Sequence, residues 1–148
     1  MDMLLRKMEE LDLVQVCAIE KEIFSEPWGE EDFRKAMQDS HNGYLVAEEQ
    51  GTIAGYCGYW GVPPEGYLYN VAVRKEYRRL QIGYHLLCKL IEDAKGKKID
   101  ALTLEVRCSN TPAISLYKRL GFTEAGLRKD FYSKPNEDAV IMWLKPIQ

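Results

Sequence analysis

At residues 70–83 the sequence reads NVAVRKEYRRLQIG, which passes from a strand pattern through a basic turn into a helix. A helix N-terminus presents unpaired backbone N–H groups and the positive end of the helix dipole, so it is a natural seat for phosphate oxygens. Basic side chains add positive charge at the same place, and they are Lys75, Arg78 and Arg79. The stretch is therefore a candidate anion site, although a solvated surface also carries charge runs of this kind.

The residues before this stretch predict two helices and a set of antiparallel strands. Apolar residues at three- and four-residue steps indicate a helix over 12–24, and a shorter helix over 30–39 follows the break at 25–29. Runs rich in β-branched and aromatic residues, divided by turn sequences, indicate strands joined as hairpins. They cover 44–48, 52–60 and 67–73, and a short strand within 3–8 is expected to open the chain.

The residues after the stretch alternate between helix and strand. A long helix is predicted from the apolar stripe that begins at Ile82, and 101–107 alternates as a strand. Thr111-Pro112 is typical of an N-cap followed by proline at the first helical position, and Gly121 suits the residue past a helix end. A helix over 112–120 follows from these two features. Further strands are predicted at 122–128 and 139–144.

This order of elements indicates the fold class. Antiparallel strands followed by a β–α–β–α–β alternation predict an α/β (α+β) domain with a mixed, mostly antiparallel sheet covered by helices. Six to seven strands and about four helices are expected, in a single domain over residues 1–148. No internal repeat or linker divides the chain.

Composition excludes several classes of protein. The 148 residues carry 20 Lys+Arg and 23 Asp+Glu, a net charge of −3, so a generally basic nucleic-acid binder is excluded. No apolar run approaches the length of a membrane span, and the N-terminus lacks a signal-peptide core. The cysteines have no zinc or disulfide spacing, so buried thiols in a reducing cytosol are expected; they are Cys17, Cys57, Cys88 and Cys108. We therefore expect a cytoplasmic protein without a metal and without direct contact to nucleic acid or membrane.

Three residues are candidates for chemistry. Glu105 lies in the middle of a strand pattern, where it is either a general base near a ligand or the solvent face of an edge strand. Tyr117 shares a predicted helix face with Ile114, a position that is more often core than catalytic. Asn110, taken alone, is a turn residue. His41 and His85 are isolated, so no histidine catalysis is expected.

Taken together, these segments resemble the GCN5-related N-acetyltransferase family over essentially the whole chain. The strand at 71–73 with Arg78-Arg79-Leu80-Gln81-Ile82-Gly83 is similar to the family's strand and acetyl-CoA pyrophosphate loop. Residues 110–122, NTPAISLYKRLGF, are similar to its second signature. Within the family, three segments resemble the bacterial ribosomal-protein-alanine N-acetyltransferases: 25–33, 104–110 and 128–132.

The resemblance implies a sheet splayed at the cofactor site, acetyl-CoA as co-substrate and a role for each matching residue. Glu105 would be the general base, directly or through a water, and Tyr117 the general acid for the leaving thiolate. The implied cofactor-binding residues are Val71, Ala72, Val73, Arg78, Arg79, Leu80, Gln81, Ile82, Gly83, Tyr84 and Asn110. Gln81 replaces the loop's first glycine. If that position needs a left-handed backbone, the replacement costs about 1–2 kcal/mol; if it needs only an N–H close to phosphate, the cost is small.

The acceptor implied by the resemblance is a protein N-terminus, the N-terminal alanine of a small-subunit ribosomal protein. An α-amine suits a lone carboxylate base, because its deprotonation at pH 7 costs about 1 kcal/mol against more than about 4 for lysine. Trp28 and Tyr132 are expected as walls of the acceptor site, and the protein is expected to be a monomer or weak dimer. A small amine or a lysine as acceptor remains an alternative, as does a non-catalytic CoA-binding module.

Overall fold

The order of strands and helices follows the hydrophobic pattern. The computed structural model describes residues 3–147. Its strands are β1 Leu4–Lys7, β2 Asn42–Glu49, β3 Thr52–Val62, β4 Glu65–Val73, β5 Ala101–Arg107, β6 Thr123–Tyr132 and β7 Glu137–Leu144. Its helices are α1 Leu13–Ile23, α2 Glu30–Gln38, α3 Ile82–Gly96 and α4 Thr111–Arg119. Every predicted element is present, and the largest difference is that β6 continues to Tyr132, beyond the predicted end at Arg128.

The strands form a seven-stranded sheet in the order β1-β2-β3-β4-β5-β7-β6. All neighbours are antiparallel except β4 and β5, whose parallel pairing stops after Tyr67 faces Thr103. Beyond that pair, the side of β4 that faces β5 has no strand partner among residues 3–147. The predicted mixed, splayed sheet is confirmed.

Helices cover both faces of the central strands. Leu45 packs in the cluster that contains α3, whereas its neighbour Val46 packs in the cluster that contains α1 and α2. Adjacent strand residues point to opposite faces, so both of these side chains are buried. Burial on both faces explains why the strands carry continuous apolar runs instead of a strict polar–apolar alternation.

The four cysteines are free thiols, but only Cys17 and Cys57 are buried. The prediction that all four are buried is wrong for the other two. Cys88 lies beside the buried stripe of α3 rather than on it, and Cys108 follows the end of β5. In the part of the chain that the structure describes, no helix is long and apolar enough to cross a membrane.

Helix α4 begins and ends one residue earlier than the predicted span of 112–120, whereas the glycine after its end is as predicted. Its N-cap is Asn110 and not Thr111, since the Asn110 Oδ1 atom accepts a hydrogen bond from the Ala113 N–H at 3.2 Å. Asparagine is among the best N-cap residues, and Pro112 fits the first turn because its missing N–H would have no partner there. Gly121, at φ +103°, follows the helix end. The Phe122 N–H then reaches the Tyr117 carbonyl at 3.0 Å, so both ends of the helix that carries Tyr117 are fixed.

Candidate active site

The turn between β4 and α3 exposes a row of unpaired backbone donors. The first intrahelical bond runs from the His85 N–H to the Gln81 carbonyl at 3.0 Å, so the N–H groups of 82–84 have no helical partner. Those of 79–81 also donate to no acceptor within residues 3–147. The donor row, residues 79–84, coincides with the positive end of the α3 dipole, and Lys75, Arg78 and Arg79 are exposed beside it. Such a row can hold phosphate oxygens.

Two left-handed residues shape this turn. Arg79 has φ 69°, and Gln81 has φ 64° and ψ 19°. The positive φ of Gln81 decides between its two alternatives. This position adopts the left-handed backbone, and a non-glycine residue there costs about 1–2 kcal/mol relative to glycine. Its side chain is turned toward α4, where its Oε1 atom accepts from Arg119 Nη1 at 2.8 Å. The Arg119 guanidinium also lies 4.4 Å from the centre of the Tyr84 ring.

The free edge of β4 continues from the donor row. Gly58 faces Asn70 and Tyr59 faces Leu68, so Tyr69 is an extra residue in β4. Such a bulge bends and twists a strand, and this one lies just beyond the last pairing with β5. The backbone groups of 71–73 on that side can therefore pair with an extended ligand as a further strand would. The Ala72 residue is only 3% exposed and its side chain packs in the core, so any contact with a ligand would come from its backbone.

A cleft of about 580 Å³ opens at the gap between β4 and β5. We call it the central cleft. It brings together six predicted site residues: Trp28, Val71, Glu105, Asn110, Tyr117 and Tyr132. The other predicted residues, Ala72, Val73 and 78–84, lie outside its wall. The site thus has two parts, the donor row and the central cleft, which the free edge of β4 connects.

Glu105 is an interior residue of the sheet. Strand β5 lies between β4 and β7, so the interpretation of Glu105 as the solvent face of an edge strand is wrong. Its side chain is 8% exposed, and Arg128 Nε lies 3.3 Å from its Oε2 atom. Its Oε1 atom accepts a hydrogen bond from the Tyr67 hydroxyl. A carboxylate held in this way faces the cleft with little water around it.

Tyr117 fits the core interpretation, and it also lies where the catalytic interpretation requires it. The residue is 6% exposed and its ring lies 5.7 Å from that of Phe122, as expected of a core residue. It also lines the central cleft. Burial raises the pKa of Tyr117, so its hydroxyl keeps its proton at neutral pH and can donate it.

Trp28 and Tyr132 lie on two different walls of the cleft. Trp28, from the α1–α2 connection, packs edge-on against Phe33 with ring centres 5.1 Å apart. Tyr132, at the end of β6, has the Arg107 guanidinium 4.5 Å from its ring centre. Burial, followed by the nearby Glu105 carboxylate, raises the pKa of Tyr132 to about 12. Both aromatic side chains are placed to contact a ligand in the cleft.

Sequence reasoning missed Glu20, which also lines the central cleft. Its residue exposure is 4%, and it accepts hydrogen bonds from the Trp28 N–H at 2.9 Å and from the Tyr56 hydroxyl. The expectation of a lone carboxylate is therefore wrong, because Glu20 and Glu26 both share the cavity with Glu105. The available signal was its place on the apolar stripe of α1, four residues after Val16 and three after Cys17.

Comparison with known proteins agrees with this geometry. The model of the Acetyltransferase (GNAT) family matches residues 13–122. A Bacillus subtilis (strain 168) protein, named a putative ribosomal protein bS18-alanine N-acetyltransferase, is 39% identical over 140 residues, covering 94% of this chain and 93% of its own. The crystal structure of the ribosomal-protein-S18-alanine N-acetyltransferase from Escherichia coli has a TM-score of 0.89 at 34% identity, covering 99% of this chain and 95% of that chain. The chain therefore belongs to the GNAT family, and it is an acetyl-CoA-dependent N-acetyltransferase.

A more distant structure shares the fold and contains CoA. The NatC complex bound to Gag peptide and CoA has a TM-score of 0.86 at 19% identity, covering 98% of this chain and 99% of that chain. Within residues 3–147, no three His, Cys, Asp or Glu side chains are grouped as metal ligands. The unpaired donor row and the free edge of β4 fit a diphosphate with an extended arm.

Replacing Gln81 by glycine should leave the affinity for acetyl-CoA unchanged or increase it. The substitution relieves the left-handed strain and keeps the backbone donors in place. Gln81→Ala is the matched control, because it also loses the hydrogen bond to Arg119 but retains a β-carbon. We expect it to be less stable than Gln81→Gly by about 1–2 kcal/mol. Titration calorimetry and thermal melting measure the two effects, and a tenfold loss of affinity in Gln81→Gly would show that the glutamine side chain itself contacts the ligand.

Proposed function

We propose that the protein transfers the acetyl group of acetyl-CoA to the α-amine of a protein N-terminus, that of the N-terminal alanine of ribosomal protein bS18. One observation carries the proposal: Glu105 and Tyr117 line the same cleft beside the free edge of β4. The names of the relatives support bS18 as the acceptor. An acceptor of this kind implies a cytoplasmic protein.

The donor row and the β4 edge would hold the co-substrate. The N–H groups of 79–84 are available for the pyrophosphate, and the backbone of Val71–Val73 is available for the pantetheine arm and the acetyl carbonyl. Asn110 uses Oδ1 to cap α4, which leaves its amide Nδ2 to donate. Bound acetyl-CoA supplies the thioester carbonyl that the amine attacks.

Two side chains would move the protons. Glu105 takes the proton that the acceptor nitrogen loses, directly or through a water, and Tyr117 gives its hydroxyl proton to the sulfur that leaves. Glu20 is a weaker candidate for the base, because both of its oxygens accept hydrogen bonds from fixed donors, the Trp28 backbone and the buried Tyr56 hydroxyl. Glu105 differs, since its Oε2 atom is paired only with the exposed Arg128 side chain. The presence of Glu105 and Tyr117 in one cleft also argues against a module that only binds CoA.

A peptide panel tests the acceptor. The protein is incubated with acetyl-CoA and a peptide that copies the N-terminus of bS18, and thiol release is followed. Matched controls are the same peptide with a blocked α-amine, a lysine peptide and a polyamine. We expect release with the free N-terminus alone. Activity confined to lysine side chains or to the polyamine would defeat the N-terminal assignment and leave the family and the fold unaffected.

Tyr117→Phe should lower turnover by about 10²–10⁴-fold, the usual contribution of a general acid. The ring and its packing against Phe122 are kept, so acetyl-CoA affinity should stay nearly the same. Steady-state turnover and calorimetric titration of acetyl-CoA provide the two readouts. Undiminished turnover in this variant would return Tyr117 to a purely structural role.

Glu105→Gln should slow the reaction most at low pH. As the pH rises through the acceptor's own pKa, the free amine becomes abundant and needs no base, so part of the rate should return. That recovery is expected at about pH 8 for an α-amine and at about pH 10 for a lysine. The pH–rate profile of the variant therefore reports both the role of Glu105 and the class of acceptor, and a profile equal to wild type throughout would remove Glu105 from the mechanism.

A further inference from the structure

Tyr67 occupies the point where β4 and β5 separate. It faces Thr103 in the last parallel pair, and its hydroxyl crosses to β5 and donates to Oε1 of Glu105, two residues further along that strand. Tyr67 is not part of the wall of the central cleft. Its side chain therefore contacts Glu105 without standing where the acceptor would enter.

The two oxygens of Glu105 have partners of different kinds. Oε2 is paired with Arg128 Nε at 3.3 Å, and the Arg128 side chain is 56% exposed. An ion pair with so exposed a partner contributes little and is easily exchanged. Tyr67, in contrast, is half-buried and packs edge-on against Tyr69, with ring centres 5.6 Å apart. The contact at Oε1 is thus the fixed one, and the contact at Oε2 is the replaceable one.

The Tyr67 hydroxyl can act only as a donor in this pair. Burial, and then the hydrogen bond to Glu105, raise the pKa of Tyr67, so it stays protonated at neutral pH and cannot itself serve as a base. A donor fixed at Oε1 restricts rotation of the carboxylate and occupies one side of it. The remaining lone pairs are concentrated at Oε2.

From this geometry we propose that Tyr67 is a positioning residue for Glu105. Its hydroxyl holds Oε1, so that Oε2, once Arg128 yields its place, takes the proton that the acceptor nitrogen loses directly or through a water. The Tyr67 proton stays on Tyr67 throughout. The bond from nitrogen to hydrogen breaks as an O–H bond forms on Glu105, and a relaying water gives one proton to Glu105 as it receives one from the nitrogen. This inference rests on the proposed function, since it requires Glu105 to be the base.

A double-mutant cycle tests the proposal. Tyr67→Phe keeps the ring against Tyr69 and removes only the donor, so kcat should fall roughly ten- to hundredfold, as expected for a hydrogen bond to a charged group. The KM for acetyl-CoA should not change. In the Glu105→Gln background the same substitution should have no further effect, because its only route of action is already removed.

The matched control is Tyr59→Phe. The Tyr59 hydroxyl also donates to a carboxylate, Asp93 Oδ2 at 2.5 Å, but it packs in the α3 cluster on the opposite face of the sheet. This variant should lose some thermal stability and keep wild-type turnover. Thermal melting of all variants establishes that they are folded.

The possible outcomes separate the two proposals. If Glu105→Gln slows the reaction and Tyr67→Phe either has no effect or has the same effect in both backgrounds, the positioning role is overturned and the proposed function stands. If Glu105→Gln has no effect at any pH, the base assignment fails, and the positioning role fails with it. The proposal is supported if Tyr67→Phe lowers kcat in the wild-type background and has no effect in the Glu105→Gln background.

Discussion

The early end of the parallel pairing between β4 and β5 is the constraint on which the site depends. Only three residue pairs join these strands, from Glu65 with Ala101 to Tyr67 with Thr103. A longer pairing would satisfy the edge of β4 with protein atoms, and none of its backbone groups would remain for a ligand. Because the strands part, the extra residue at Tyr69 can bend β4, and Glu105 in the interior of β5 faces a cavity instead of a neighbouring strand.

The two ends of the site carry opposite electrostatic character, although the chain as a whole is acidic. At one end, the backbone donors of 79–84 and the dipole of α3 favour negative charge. At the other end, the carboxylates of Glu20, Glu26 and Glu105 outnumber the basic side chains of Arg107 and Lys134 in the lining of the cleft, which favours a cationic amine. The overall net charge of −3 is therefore a poor guide to what either end binds. A diphosphate and an amine would therefore bind at different positions along the same gap.

Buried polar contacts also hold the walls of the cleft. Burying a carboxylate is costly unless it is hydrogen-bonded, and Glu20 meets this requirement with donors from Tyr56 in β3 and from the Trp28 backbone. These bonds fasten the α1–α2 connection to the sheet. Further out, the Ser133 hydroxyl donates to Glu26 Oε1 at 3.1 Å, so the connections after α1 and after β6 touch each other at the edge of the cleft.

The sequence by itself determined what depends on local pattern: the order of helices and strands, the donor row at the start of α3, and the glycine that ends α4. Each of these features depends on residues close together in the chain. The periodicity of 3.6 or 2.0 residues therefore reveals the helices and strands, and turn chemistry reveals their ends. Only the tertiary structure decided the left-handed backbone of Gln81, the interior place of Glu105, and its contacts with Tyr67 and Arg128. Tyr67 and Glu105 are separated by 38 positions in the chain. Their contact depends on which strands are neighbours and where the pairing stops, and no local period encodes either of these.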